Sequence, residues 1–249
     1  MSQARVSVII PTYNSREFIE QTVSALVKYL ASRDGAGELI VVDDGSTDGT
    51  GELLEKIARG QTAVKLIRYQ RNRGKGFAVR TGVAAASGER IVFTDADLAY
   101  PTDQIERILS SIDGGADLAV ATRVAADSRY IMSPAFFNYV YTRHLASRVF
   151  NLMVRSLFSL PVRDCQAGLK GFSKAAALTV FPRLTLDGFT FDVELLCVAK
   201  VHGLRITEVP VQFRYFSEPT TVVFLRDTFR AVADLVRVKL KAAAGEYSK

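Results

Sequence analysis

Four short apolar runs, separated by stretches with helical spacing, fill the first hundred residues of this chain. Val6 to Ile10, Glu38 to Val42, Val64 to Tyr69 and Ile91 to Thr94 are rich in β-branched and other apolar residues and read as buried strands. Between them, Phe18, Ile19, Val23, Leu26, Val27 and Leu30 recur at helical spacing within residues 15 to 31. Ser46 or Thr47 stands where a helix running through Ile57 would be capped, and another helix should reach about Ala86. Parallel strands need long crossovers, which helices supply, so the alternation predicts an α/β fold: a largely parallel sheet with helices on both faces. Pro11, with no N–H to give a ladder, is expected to close the first strand.

A helix from Gln104 to Ile112 and a strand from Asp117 to Thr122 continue the pattern, which then changes. Residues 135 to 160 are aromatic and basic, and a polar turn follows with Asp164, Gln166, Gly168 and Lys170. Helices are expected from Lys174 to about Phe181 and from Phe189 to His202. A strand over Ile206 to Phe213 and a basic amphipathic helix over 224 to 243 complete the reading. No repeat, low-complexity segment or linker divides the 249 residues, so one domain over 1–249 is the economical expectation.

The loops after the predicted strands carry the chemistry: Pro11 to Asn14, Asp43 to Asp48, Arg71 to Gly76 and Asp95 to Pro101. In a doubly wound sheet such loops gather at one edge, where ligands bind. The last reads Asp95-Ala96-Asp97, two carboxylates at i and i+2 just past a strand. Two hard oxygen donors suit Mg2+ or Mn2+, and the glycine-rich basic loop with Lys75 suits a diphosphate. Two solvated aspartates in a polar turn satisfy the same pattern, as a capped turn does for Asp43 and Asp44 and a solvated helix face for Lys75 and Arg80.

Composition narrows the classes. With 48% apolar residues the chain can bury a core, and a net charge of +6 favours anionic partners. The basic residues do not form one aromatic-interleaved single-strand platform beside these loops, which argues against nucleic acid. Neither a G-x-x-x-x-G-K-[ST] loop nor a G-x-G-x-x-G after the first strand occurs, which argues against P-loop and dinucleotide chemistry. Cys165 and Cys197 form no metal or disulfide framework and fit a reduced, cytoplasmic setting; like His144 and His202 they read as structural. The N-terminal apolar run, Val6 to Ile10, is too short for a signal peptide, and no stretch approaches the ~20 apolar residues that span a bilayer.

VSVIIPTYN, VVDDGSTDGT, NRGKGFAVRTG, FTDADLAYP and DCQAGLKGF, in this order, resemble the family 2 glycosyltransferases of the GT-A (Rossmann-like) fold. Among these the polyprenyl-phosphate sugar synthases are the nearest likeness, and it covers nearly the whole chain. The resemblance implies a nucleotide-sugar-binding half over 1–125 and an acceptor-binding, membrane-facing half over 126–249. It implies that Pro11, Tyr13 and Asp44 frame the nucleobase, with Lys75 and Arg80 near the base and diphosphate. It makes Asp95 and Asp97 the metal-holding pair, for Mg2+ or Mn2+. Arg123, Arg143 and Ser147 match positions that bind the acceptor phosphate, and Lys170 joins them from the D-x-Q-x-G-x-K turn. Asp164 and Asp192 are implied as positioning or proton-handling carboxylates, and Glu194 completes an F-D-x-E segment.

Two departures refine this. Ala99 stands where the mannose synthases carry a further metal ligand, Gln, and this tilts the donor from GDP-mannose towards UDP-glucose. Ser217 to Thr221 replaces the family's usual G-S-K. The implied reaction is inverting displacement at the anomeric carbon by a polyprenyl or dolichyl phosphate, which is already anionic near pH 7. The alternatives are a GDP-mannose-dependent synthase and a transferase acting on a sugar hydroxyl. Ser147 to Val162 and residues 224 to 243 set apolar residues among arginines and lysines, as interfacial helices do, although a packing helix with a solvated basic face reads the same way. The expectation is a peripheral protein at the cytoplasmic face of a membrane, with room for a separate membrane protein partner.

Overall fold

The computed structural model describes residues 5–33, 37–131, 150–214 and 224–248. Its strands are β1 (Val6–Thr12), β2 (Gly37–Asp43), β3 (Val64–Arg68), β4 (Arg90–Phe93), β5 (Leu118–Thr122), β6 (Arg129–Ile131), β7 (Lys170–Ser173), β8 (Ile206–Pro210) and β9 (Gln212–Arg214). The helices are α1 (Ile19–Ala31), α2 (Thr50–Arg59), α3 (Lys75–Ala84), α4 (Thr102–Asp113), α5 (150–158), α6 (Lys174–Val180), α7 (Phe191–Val201) and α8 (Phe224–Ala243).

Seven strands form one sheet in the order β3-β2-β1-β4-β7-β5-β8. All neighbours are parallel except β7, which runs antiparallel to both β4 and β5. Alternation along β1 sends Val6, Val8 and Ile10 to one face, against Val23 and Leu26 of α1 and Ile105 and Ile108 of α4. Ile9 joins Ile40, Val42 and Phe93 on the other face, against Ala78 and Val79 of α3 and Leu195 and Val198 of α7. Each fully buried side chain of this kind contributes about 1.5–3 kcal/mol, so the sheet is clamped from both sides. This is the expected mostly parallel α/β architecture.

Four local expectations are corrected. Pro11 lies inside β1, paired with Val42. Thr94 N bonds Ile9 O and Asp44 N bonds Thr12 O, so alternation turns Pro11 towards β4, beyond its last paired residue, where no N–H is needed. Neither Ser46 nor Thr47 caps α2: Gly49 is the cap residue, and Asp48 Oδ1 accepts Thr50 N and Oγ1. The stretch Ile206 to Phe213 is two strands, because β8 leaves β5 at Pro210 and β9 pairs with β6 in a separate two-stranded sheet. Finally, the polar turn around Asp164 leads straight into β7, so Lys170 belongs to a central strand. Its sequence, KGFS, has neither the alternation nor the β-branched residues that mark a strand.

Candidate active site

The loops after β1, β2, β3 and β4 meet at the carboxyl edge of the parallel strands. Asn14, in a left-handed conformation (φ 51°), ties the first two together: its N–H donates to Ser46 Oγ, and its Oδ1 accepts Thr47 N, each at 2.9 Å. Asp44 ties the second to the third, its two oxygens accepting Arg73 N and Gly74 N at 2.8 Å. Burial pushes the Asp44 carboxyl above its ordinary range despite these bonds. Gly74 (φ 104°) has no room for a side chain, since a Cβ would stand 2.4 Å from Asp187 O. Pro11 is the penultimate residue of β1, and Tyr13 projects from the loop that follows, more than a third exposed.

Lys75, the first residue of α3, joins the third loop to the fourth through a 2.6 Å ion pair with Asp95. Burial opposes the Lys75 charge, but the carboxylates of Asp95, Asp192 and Asp97 outweigh it and hold its pKa above the lysine range. Burial raises Asp95 less than Lys75, Arg123 and Lys170 lower it, so it stays ionised. Leu98 (φ 52°) turns the chain after Asp97, whose Oδ1 accepts Ala99 N at 2.9 Å. Ala99 is buried and its carbonyl accepts Arg214 N, so no third ligand side chain stands there. Among the described residues no cluster of three or more His, Cys, Asp or Glu side chains could cage an ion. Two carboxylates without a cage are the donor set of a Mg2+-type ion that takes its remaining ligands from phosphate and water, so the residues fit such a metal.

Arg123 grips Asp164 with Nε at 2.8 Å and Nη2 at 2.9 Å, and its N–H adds a third bond at 3.0 Å. Burial raises Asp164 less than this guanidinium lowers it, so its carboxyl titrates below the usual range. Nη1 of Arg123 has no protein acceptor among the described residues. Lys170, with no exposed surface, gives Nζ to Asp192 and to Ala167 O, each at 2.6 Å. Burial pushes Asp192 above its ordinary range against the pull of Lys170 and Lys75. Arg80 points its guanidinium at Leu184 O, Leu186 O and the Asp187 carboxylate. Arg143, Ser147 and His144 lie outside the described residues, as do Ser217 to Thr221. Cys165 and Cys197 are buried thiols, each pushed up to about 12 by burial.

Gly168 and Tyr100, to which the sequence assigns no role, support this centre. A Cβ on Gly168 would stand 1.7 Å from Asp95 Oδ2, so only glycine lets the Asp164–Lys170 turn pass the carboxylate. Its N–H donates at 3.1 Å to Oη of Tyr100, a fully buried residue. Nothing short of the tertiary contact marks Tyr100, although Gly168 was visible in the D-x-Q-A-G pattern.

Residues 7–179 match the model of glycosyl transferase family 2. The dolichyl-phosphate beta-glucosyltransferase of Saccharomyces cerevisiae is 29% identical over 255 residues, covering 97% of this chain and 76% of that protein. The dolichol-phosphate mannosyltransferase of Pyrococcus furiosus is 32% identical over 84% of this chain and 56% of its own length. Among solved structures, the glucosyl-3-phosphoglycerate synthase of Mycobacterium tuberculosis with Mg2+ and uridine-diphosphate superposes with a TM-score of 0.67 at 21% identity. That match covers 96% of this chain and 79% of the synthase.

Proposed function

Because this chain belongs to glycosyl transferase family 2, we propose that it moves a hexose from a nucleotide sugar, UDP-glucose by preference, to a polyprenyl or dolichyl phosphate. The observation that carries this is the junction of four loops at the carboxyl edge of β1 to β4, with Asp95 and Lys75 at its centre. Similarity to the dolichyl-phosphate beta-glucosyltransferases supports the lipid acceptor and the glucose donor, and the solved neighbour with Mg2+ and uridine-diphosphate supports a divalent ion and a uridine base.

In this reading Tyr13 and Asp44 frame the base at the end of β1, where Pro11 sets the backbone, and Lys75 faces the diphosphate. Asp95 and Asp97 hold Mg2+ or Mn2+, which when bound neutralises charge on the departing nucleoside diphosphate. Arg123, oriented by Asp164, keeps Nη1 for the acceptor phosphate. Arg143 and Ser147 are the further candidates for that phosphate. Lys170 is buried against Asp192, so its part is to fix that carboxylate. The acceptor phosphate oxygen attacks the anomeric carbon, the bond to the diphosphate breaks, and configuration inverts. An acceptor that arrives ionised needs no base, which suits a site whose two inner carboxylates are already committed to Arg123 and Lys170.

The raised pKa of Asp192 favours one second reading, a sugar-hydroxyl acceptor with Asp192 as base. Incubation with Mg2+, a panel of nucleotide sugars and a short polyprenyl phosphate separates these. Lipid-linked glucose from UDP-glucose is expected. Product from GDP-mannose alone would overturn the donor assignment, and hydroxyl-linked product without lipid product would establish the second reading.

The lipid acceptor calls for a membrane surface. No helix among the described residues is long and apolar enough to cross a membrane. On α8, Val232, Val236 and Leu240 form an exposed stripe one helical face wide, while Leu235 and Val238 pack inward. Leu152, Met153 and Leu157 are exposed on α5, which Lys239 ties to α8 through Leu157 O at 2.7 Å. Arg230, Arg237 and Lys239 flank the stripe, so this face is proposed to lie on the cytoplasmic leaflet. A separate membrane protein is a further candidate partner there.

A further inference from the structure

Glu194 sits one turn inside α7 with no exposed surface, and among the described residues no Lys, Arg or His pairs with it. Four neutral donors hold its carboxylate instead. Thr185 N and Leu186 N donate at 2.8 Å, Thr185 Oγ1 at 2.7 Å and Tyr247 Oη at 2.9 Å. A buried carboxylate without a counter-ion is costly unless fully hydrogen-bonded, so these four contacts stand or fall together.

What they hold is the segment 184–187, the platform of the donor side. Leu184 O and Leu186 O accept from Arg80, and Asp187 O accepts Gly76 N at 2.7 Å and Phe77 N at 3.2 Å. The first turn of α3, and with it Lys75, therefore rests on a segment whose own backbone N–H groups are pinned by Glu194. The far side of the same carboxylate is gripped by the last residues of the chain. Tyr247 is buried beneath α7, its carbonyl lies 2.7 Å from His202 Nε2, and Lys241 of α8 reaches Thr185 Oγ1 at 3.2 Å.

We propose that Glu194 and Tyr247 are positioning residues that act through segment 184–187 to set the glycine-rich loop and Lys75 for the donor diphosphate. The C-terminal turn is thus part of the donor site although it contacts no substrate. This rests on the donor reading given above, and it links Glu194 of the F-D-x-E segment to the C-terminal turn, which lies outside the family's motif blocks.

The test measures binding of uridine diphosphate with Mg2+ by calorimetry, together with the KM for donor and for acceptor, in the full chain. Tyr247→Phe removes one bond to the carboxylate while keeping the ring, and Glu194→Gln keeps an acceptor for the backbone N–H groups. The expected result is uridine-diphosphate affinity about three- to tenfold weaker in Tyr247→Phe, less than the full loss of a bond to a charged group because the effect reaches the donor site through segment 184–187. A donor KM raised to match and an acceptor KM within about twofold of wild type should accompany it. Glu194→Gln should fall between wild type and Glu194→Ala, a graded rescue that simple unfolding would not give. Affinity and donor KM unchanged in Tyr247→Phe and Glu194→Gln, with only a lower melting temperature, would make the network merely structural and overturn the proposal. No binding of uridine diphosphate to the wild-type chain would instead overturn the donor reading beneath it.

Discussion

Single residues at the centre differ in how much freedom they keep. Asp97 accepts Ala99 N at its Oδ1 and is proposed to hold the ion, so Asp97→Ala should cut metal-dependent release of nucleoside diphosphate by at least about 100-fold. A coupled nucleotide assay in wild type and variant checks this. Gly168 is constrained by space: the methyl of Gly168→Ala would displace Asp95 and Lys75 together. Turnover is expected to fall by about 100-fold, as for a misplaced reacting group, while the far-ultraviolet circular dichroism stays native. Asp192 carries the opposite risk. Asp192→Asn leaves Lys170 charged and sealed in the sheet, at a cost of about 3–5 kcal/mol readable as a lower urea midpoint. With an anionic acceptor the folded fraction should retain substantial turnover, whereas a hydroxyl acceptor would leave none.

Elements rather than residues decide where the chain meets its surroundings. α8 buries Leu235 and Val238 on one face and exposes Val232, Val236 and Leu240 on another. Replacing Val236 and Leu240 by Asp leaves the inward face alone and should weaken sedimentation with anionic vesicles by about tenfold or more, with native melting retained. Each basic residue near such a surface contributes about 1 kcal/mol, so binding by the wild type should also fall as salt rises. Equal binding by wild type and double variant would move the contact elsewhere. β7 is the other deciding element: by entering antiparallel between β4 and β5 it brings Lys170 beneath the loop of Asp95, and the turn before it delivers Asp164 to Arg123.

At the scale of the whole molecule the charges set how stability responds to pH. Asp95 and Asp164 have folded-state pKa values below the ordinary range, so the stability they contribute is present above about pH 4 and is lost as the pH falls through their folded values. Asp44 and Asp192 are raised, so their contribution is present below about pH 4 and is lost as the pH rises through their folded values. The two sets oppose each other, and the paired set should dominate in acid. Melting temperature is expected to drop between about pH 5 and pH 3, and the drop should be shallower when Arg123 and Asp164 are both replaced by apolar residues.

The sequence by itself determined the parallel half of the sheet and the edge at which its loops meet. Those features are written in local periodicity, in the apolar runs of β1 to β4 and the helical spacing of α1, and in Asp95 and Asp97 at the end of one run. The tertiary structure alone decided the rest. KGFS is a strand because β4 and β5 both offer it partners, and no local pattern records that. Pro11 stays in β1 because the neighbouring strand has already ended. Asp164 finds Arg123 41 positions away and Lys170 finds Asp192 22 positions away, so which carboxylates remain free for chemistry is a property of packing. Gly168 and Tyr100 shape the centre for the same reason: one leaves space and the other makes a buried contact, and both exist only once the chain has folded.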